Sequence, residues 1–369
     1  MIDLTEFESR AVPLRALGVV VSQNGTQLAR KLWDDACRRN VYSASKSFTS
    51  MAVGIAQKEG LLSIDEKLTD AFKDDLPEIV SDNLKAATVR DLLTMCLGQE
   101  KSFLMGGERP YYEDRNWVRL ALRQPFVYAP GEKFVYNNVG PYLAGILVQR
   151  RAGCDLVHYL MPRMFAPMGI QLPTWENDPN GQTFGAGGLF LTIDELHLFG
   201  QLLLQNGEWN GKQLIPAEWV KEATSKQVEN GSEGYGYLFW AGPEGSFRAD
   251  GKYGQFVILM RDKNAAVTVT GITTTTSDGH QWYRIKYNGI TAYVRADLLA
   301  DKKDSTVTPG GGSGSGSGGT VSGSGTASEI ANFAMGFVGY SYVWGGSSPS
   351  TGFDCSGLMY YVLTQYGYS

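Results

Sequence analysis

Between positions 42 and 60 the chain carries a helix that must be buried and yet opens on a hydroxyl and an amine. Phe48, Met51, Ala52 and Ile55 fall at i, i+3, i+4 and i+7, the period of an amphipathic helix, and Gly60 supplies the stop. One face is therefore expected to meet a core. Ser43 and Lys46 stand three apart and share a face, where Cβ atoms are roughly 5–6 Å apart and a lysine can bend back onto a hydroxyl. Desolvation there lowers the lysine pKa toward a neutral amine, which can take a serine proton. Backbone N–H groups at the same helix start would meet an oxyanion. The S-x-x-K spacing alone is common in long chains, so its meaning depends on what else the sequence brings to it.

A chain of 369 residues has room for two or more domains with a full core. A formal charge of −5 argues against nucleic acid or an anionic membrane as main partner. No stretch approaches the ~18–20 apolar residues of a transmembrane helix. The start, Met1-Ile2-Asp3-Leu4-Thr5-Glu6, lacks a basic, then apolar, secretory signal, which points to the cytoplasm by default. Cys37, Cys96, Cys154 and Cys355 form no CxxC pair or disulfide spacing, and His158, His197 and His280 fall in no metal-ligand spacing. No metal or other cofactor is expected.

Residues 17–21 and 27–33 flank an Asn24-Gly25 turn and predict a β-hairpin ahead of the Ser43 helix. From 65 to about 205 the signals are helical, with pieces at 88–96, 135–150 and 192–204. Short strands return at 236–240, 246–249, 255–260 and 265–270. The implied class is α+β: an antiparallel sheet built from both ends of a domain, flanked by helices, with a helical insertion and a cleft between the two parts. His158 and His197 sit on helical stretches and read as structural, while Trp175 and Trp240 fit a pocket wall or the core equally well.

Two further stations attract chemistry. Tyr136-Asn137-Asn138 follows the turn Ala129-Pro130-Gly131-Glu132 and opens an apolar run, so it reads as a proton-transfer pair or as a helix N-cap. Ala249-Asp250-Gly251-Lys252-Tyr253-Gly254-Gln255 sets two glycines beside strand residues, which suits close approach to a ligand or a plain turn.

The strings "SASK", "YNN" and "ADGKYG", in that order, resemble the three active-site elements of the serine β-lactamase and penicillin-binding-protein superfamily. The closer likeness is to its class C-like branch, with esterases, D-aminopeptidases and aminohexanoate-dimer hydrolases. "EGLLSIDEKL", "VRDLLTMCLG", "YAPGEKFVYNNVGPYLAGILV" and "GAGGLFLTIDELHLFGQLLLQNGEWNGKQLI" extend it over roughly residues 10–268. The resemblance implies a serine hydrolase working through a covalent acyl-enzyme. Ser43 would be the nucleophile, Lys46 its proton acceptor, Tyr136 the residue that moves protons to and from the serine and leaving group, and Asn138 the contact to the substrate amide. Gly251 allows close approach, and the N–H groups of Ser43 and Lys252 would form the oxyanion hole.

Ala249 departs from the family pattern. A Lys, His or Arg usually opens the third element and attracts a substrate carboxylate, a role left here to Arg248 or Lys252, whose directions alternate with Ala249 along a strand. The expected substrate is therefore an ester or small amide, with a β-lactam or peptidoglycan-like molecule less well served.

After about 266 the hydrolase resemblance lapses, and no closing helix is evident in the sequence. Residues 269–301, with Trp282, Tyr283, Ile285 and Tyr287 before Asn288-Gly289, resemble part of a bacterial SH3-like cell-wall-binding domain. Residues 302–326 form a Gly/Ser linker. Residues 327–369 resemble the N-terminal part of an NlpC-type, papain-like α+β cysteine peptidase, with Cys355 in "DCSG" at the nucleophile position but no histidine after it, hence a vestigial thiol. Two alternatives follow: a modular cell-wall-associated protein whose C-terminal pieces bind peptidoglycan, which would place it at the envelope or outside the cell, or a composite, truncated chain without activity.

Overall fold

The computed structural model describes residues 2–231 and 233–271, the backbone of 282–287 and 290–295, and isolated positions from Phe333 onward. The chain divides into two units, Met1–Asp301 and Lys302–Ser369. The linker at 302–326 and Cys355 lie outside the described residues. In the second unit the short strands Ser347–Ser348 and Gly352–Phe353 pair antiparallel.

The first unit is built on a six-stranded antiparallel sheet. Its strands are β1 (Gly18–Gln23), β2 (Thr26–Leu32), β8 (Trp240–Ala241), β9 (Phe247–Gly251), β10 (Gln255–Met260) and β11 (Ala265–Thr270), in the order β2-β1-β11-β10-β9-β8. Between β2 and β8 come a small sheet of β3 (Arg39–Asn40), β4 (Thr174–Trp175) and β5 (Leu189–Leu191), and a hairpin of β6 (Glu208–Trp209) and β7 (Lys212–Gln213). Gly18 pairs with Thr270 and Gln23 with Ala265, so the two ends of the domain lie side by side, as the two-ended reading predicts. Strands β12 (Trp282–Tyr287) and β13 (Ile290–Arg295) pair antiparallel as a separate two-stranded sheet.

The helices are α1 (Thr5–Ala11), α2 (Ser45–Lys58), α3 (Leu68–Ala71), α4 (Asp82–Ala86), α5 (Val89–Thr94), α6 (Trp117–Leu122), α7 (Val139–Ala152), α8 (Leu156–Leu160), α9 (Ile193–Leu204) and α10 (Ala217–Ala223). Capping boxes start two of them, Thr88 with Asp91 for α5 and Thr192 with Glu195 for α9. Helix α9 lies on the sheet; Gly200 sits so close to β10 that a Cβ there would come within 2.7 Å of Val257. From the same helix His197 bonds Thr268 Oγ1 at 2.9 Å and Ser22 Oγ at 3.0 Å, joining β11 and β1.

Helix α2 is the axis of the core. The sequence period predicts one buried stripe, but every residue from Ser45 to Ala56 is buried. Ser50 Oγ has no hydrogen-bond partner among the described residues. Two other hydroxyls of the helix are absorbed by loop carbonyls: Ser47 donates to Leu238 O at 2.9 Å and Thr49 to Gly185 O at 2.8 Å. Bonded in this way, a polar face can be buried without the usual penalty. Phe48 stacks on Phe199 at 3.8 Å, and Gly54 is the seat of the Trp219 indole, whose Nε1 donates to Ser50 O at 3.0 Å.

Two element boundaries differ from expectation. The stretch at 236–240 is not a strand up to Trp240: Leu238 takes φ +63°, and Tyr235 bridges Trp240 as the chain doubles back. The helix expected from 135 starts at Val139, with Asn138 at the N-cap position, and Val135 N–H is drawn outside it to Met95 O at 2.9 Å.

Candidate active site

Ser43 lies in a single 3₁₀ turn, Tyr42–Ala44, that feeds directly into α2. The residue before it, Tyr42, has φ +47°, a left-handed conformation costly for a tyrosine and held by an N–H bond to Asn40 Oδ1 at 2.7 Å. Leu104 (φ +57°) and Leu238 (φ +63°) are held in the same region beside α2 and Asn138. Three strained non-glycine residues around one helix start mark a place where geometry outranks local comfort.

Lys46 occupies the first turn of α2 and is 1% exposed. Its Nζ lies 3.0 Å from Ser43 Oγ, 2.7 Å from Asn138 Oδ1 and 2.6 Å from Ala186 O. Among the described residues no carboxylate shares its shell. Burial, with the nearby Arg109 cation in support, lowers its pKa from 10.5 to about 7. Asn138 Oδ1 and Ala186 O can only accept hydrogen bonds, so two N–H bonds of a neutral amine serve them and its lone pair remains for the Ser43 hydroxyl.

Tyr136 closes the other side. Its hydroxyl interacts with the Ser43 side chain, and burial pushes its pKa up to about 12, so it keeps its proton at neutral pH. Its ring lies 5.1 Å from Lys46 Nζ and stacks on Trp240 at 5.3 Å. A strap ahead of α6 fixes this segment: Ser102 Oγ donates to Tyr136 O at 2.7 Å, and Asn138 Nδ2 donates to Leu104 O at 2.9 Å. Both ends of the Asn138 amide are thus engaged inside the protein. The helix-cap role falls to its neighbour, Asn137 Oδ1 accepting from Gly140 N–H at 3.2 Å.

The third station is the β9–β10 hairpin. A Cβ on Gly251 would come within 2.6 Å of Val41 O, so glycine lets the strand lie against the nucleophile turn. Tyr253 meets Tyr42 edge to face at 4.9 Å. The Lys252 N–H, which follows β9, has no acceptor among the described residues. Ala249 is 2% exposed and faces inward. The two cations considered as its replacements are engaged elsewhere: Arg248 Nε donates to Asp250 Oδ2 at 3.2 Å, and the Lys252 ammonium lies 5.1 Å from the Tyr253 ring centroid.

The structure therefore brings Ser43, Lys46, Tyr136 and Asn138 together and lays Gly251 against their turn. It adds two residues the sequence did not single out for this place, Arg109, whose cation acts on Lys46, and Asp250, whose carboxylate acts on Tyr136, while Trp240, read as a pocket wall or core residue, stacks on Tyr136. No spacing announces the first two, which come from a loop and an alternating strand. Among the described residues no group of His, Cys, Asp and Glu could hold a metal, and no helix is long and apolar enough to cross a membrane.

An antiparallel sheet with a buried helix opening on a serine and a desolvated lysine defines a β-lactamase/transpeptidase-like α+β fold. The family model described as Beta-lactamase matches residues 13–287, and the chain belongs to that family, whose serine hydrolases are its class. The match extends past residue 268 and takes in β12. A second family model, NlpC/P60, matches residues 339–369.

An uncharacterized protein of Alkalihalophilus pseudofirmus is 26% identical over 221 residues, covering 55% of this chain and 58% of the relative. A putative D-alanyl-D-alanine carboxypeptidase of Escherichia coli K12 is 23% identical over 172 residues, covering 34% and 40% respectively. The chain thus spans less than two thirds of either relative. The murein DD-endopeptidase MepH of the same strain is 61% identical over 37 residues, 10% of this chain and 14% of that protein. Among solved structures, a putative β-lactamase from Bacteroides dorei superposes with TM-score 0.62 at 18% identity, covering 76% of this chain and 94% of that one.

Proposed function

We infer that the first unit is a serine acyl-hydrolase working through an acyl-enzyme on Ser43. The observation that carries this reading is the Lys46 shell, two pure acceptors and one hydroxyl around a buried amine whose pKa is about 7. Lys46 takes the Ser43 proton as Oγ attacks a carbonyl, and Tyr136 passes a proton to the leaving group. The N–H groups of Ser43 and Lys252 receive the oxyanion, where one donor can be worth ~2.7–4 kcal/mol. Water then releases the acyl group.

The inward-facing Ala249 and the engaged Arg248 favour an ester or small amide over a substrate that needs a carboxylate clamp. Intact-mass measurement after incubation with an activated short-chain ester and, separately, a β-lactam tests both points. An ester adduct absent from Ser43→Ala supports the nucleophile. A folded protein that forms no adduct with either reagent refutes it. Ala249→Lys should raise turnover of a carboxylate-bearing substrate relative to a neutral ester.

The NlpC/P60 match at 339–369 favours a second reading, in which the substrate is a peptidoglycan stem peptide and the chain works at the cell wall. Release of terminal D-alanine from a muropeptide, lost in Ser43→Ala, would select it.

A further inference from the structure

Strand β9, whose Gly251 lies against the nucleophile turn, carries a carboxylate one residue earlier, Asp250. Phe247, Ala249 and Gly251 are buried, while Arg248 and Asp250 share the opposite face. The Asp250 side chain is 26% exposed; its Oδ2 accepts from Arg248 Nε at 3.2 Å, and its Oδ1 has no hydrogen-bond partner among the described residues. A run of contacts ties it to Tyr136: the Arg248 it bonds lies 5.7 Å from the Trp240 ring centroid, and Trp240 stacks on Tyr136 at 5.3 Å.

Two of the cations near the site, Arg248 and Arg109, are held by carboxylates. Arg248 stands a strand repeat, roughly 6–7 Å, further back, with its guanidinium 5.7 Å from the Trp240 ring centroid. Arg109 is held by Glu176 at 2.5 Å. Asp250 thus keeps acceptor capacity at Oδ1, for which no partner stands among the described residues.

We propose that Asp250 is a specificity-determining residue that binds a substrate ammonium through its free Oδ1, so that the preferred ester or amide carries a protonated amine near the scissile carbonyl and a carboxylate there is rejected. This rests on the acyl-hydrolase reading above. Burial raises the Asp250 carboxyl pKa, the mark of a desolvated acid that gains most from an added cation. A charge-assisted bond of this kind discriminates by about ten- to a hundredfold.

The test uses the full chain and coumarin esters of equal length whose acyl chain ends in ammonium, methyl or carboxylate, with a matching series that carries the charge on the alcohol side. In at least one series kcat/KM should fall from ammonium to methyl to carboxylate, with at least ~10-fold between the extremes. Asp250→Asn should bring the ammonium-to-methyl ratio to within about threefold of unity, and Asp250→Glu should keep the order. An unchanged ratio in Asp250→Asn overturns the proposal. So does a wild-type protein that ranks carboxylate equal to or above ammonium in both series, a result that needs no variant to fold. A fluorophosphonate probe separates the two levels: labelled Ser43 with no charge preference sinks only the role of Asp250, whereas no label and no turnover sinks the hydrolase reading with it.

Discussion

Lys46 Nζ and Asn138 Oδ1 stand 2.7 Å apart, and the Asn138 amide cannot flip without losing its bond to Leu104 O. Asn138 therefore offers the lysine a dipole and no charge, which leaves burial to set the lysine pKa.

Asn138→Asp replaces that dipole with an anion and should raise the Lys46 pKa, since an opposite charge at this distance favours the ammonium. The rising limb of the pH–rate profile, expected near pH 7, should move up by about a unit or more, and the rate at pH 7 should drop roughly tenfold. Arg109→Gln, which removes a like charge, should move the limb in the same direction by less. Profiles that coincide with wild type would exclude Lys46 as the base.

The same lysine links stability to pH. Its folded pKa, about 7, lies below its unfolded value of 10.5, so between these the unfolded chain binds more protons. Burial of the charged form is penalised fully below pH 7, and the penalty is relieved as pH rises toward 10.5. Wild-type stability should therefore gain on that of Lys46→Met by up to ~1.4 kcal/mol per pH unit across this window. Urea melts at pH 7 and 9 measure the gain, and parallel shifts in the two proteins would refute it.

His197 works in the opposite pH range. Burial lowers its pKa from 6.5 to about 4, so the folded state holds it neutral between β1 and β11. Its contribution is intact above pH 6.5 and is lost as pH falls toward 4. His197→Asn should be less stable than wild type by about 1–3 kcal/mol at pH 7, with the gap narrowing at pH 4.5. Thermal melts at the two pH values provide the check.

Gly251→Ala would drive a Cβ into Val41 O, a backbone atom that cannot swing aside. A cost of about 1–3 kcal/mol is expected, with a fall in kcat larger than any change in KM because the hairpin is displaced from Ser43. A variant with wild-type melting and turnover would show that the close approach is dispensable.

The sheet and three stations could be read because their signals are local or ordered along the chain: Asn24-Gly25 for the first hairpin, alternation for β10 and β11, and "SASK", "YNN" and "ADGKYG" for the site. What escaped depends on tertiary partners. Ser47 and Thr49 look like a solvated face until Leu238 O and Gly185 O claim them. Tyr235, Tyr237 and Phe239 have strand-like composition, yet all three are buried because Leu238 turns left-handed between them. Arg109 comes from a stretch without periodicity and reaches Lys46 through its charge alone.

Gly18 faces Thr270 across the sheet, and the whole helical block lies between them in the chain. During synthesis β1 and β2 leave the ribosome long before β11, and until Thr270 emerges one edge of β1 stays open. Such closure is non-local and slow, and it leaves unpaired edges waiting. The nucleophile turn inherits this delay: Ser43 is made early, but β9, which rests on Val41, and β11, which closes the sheet beyond β10, are made only after the whole helical block. A nascent chain stopped before Ala265 would carry every residue of the Lys46 shell and no completed sheet to hold them in place.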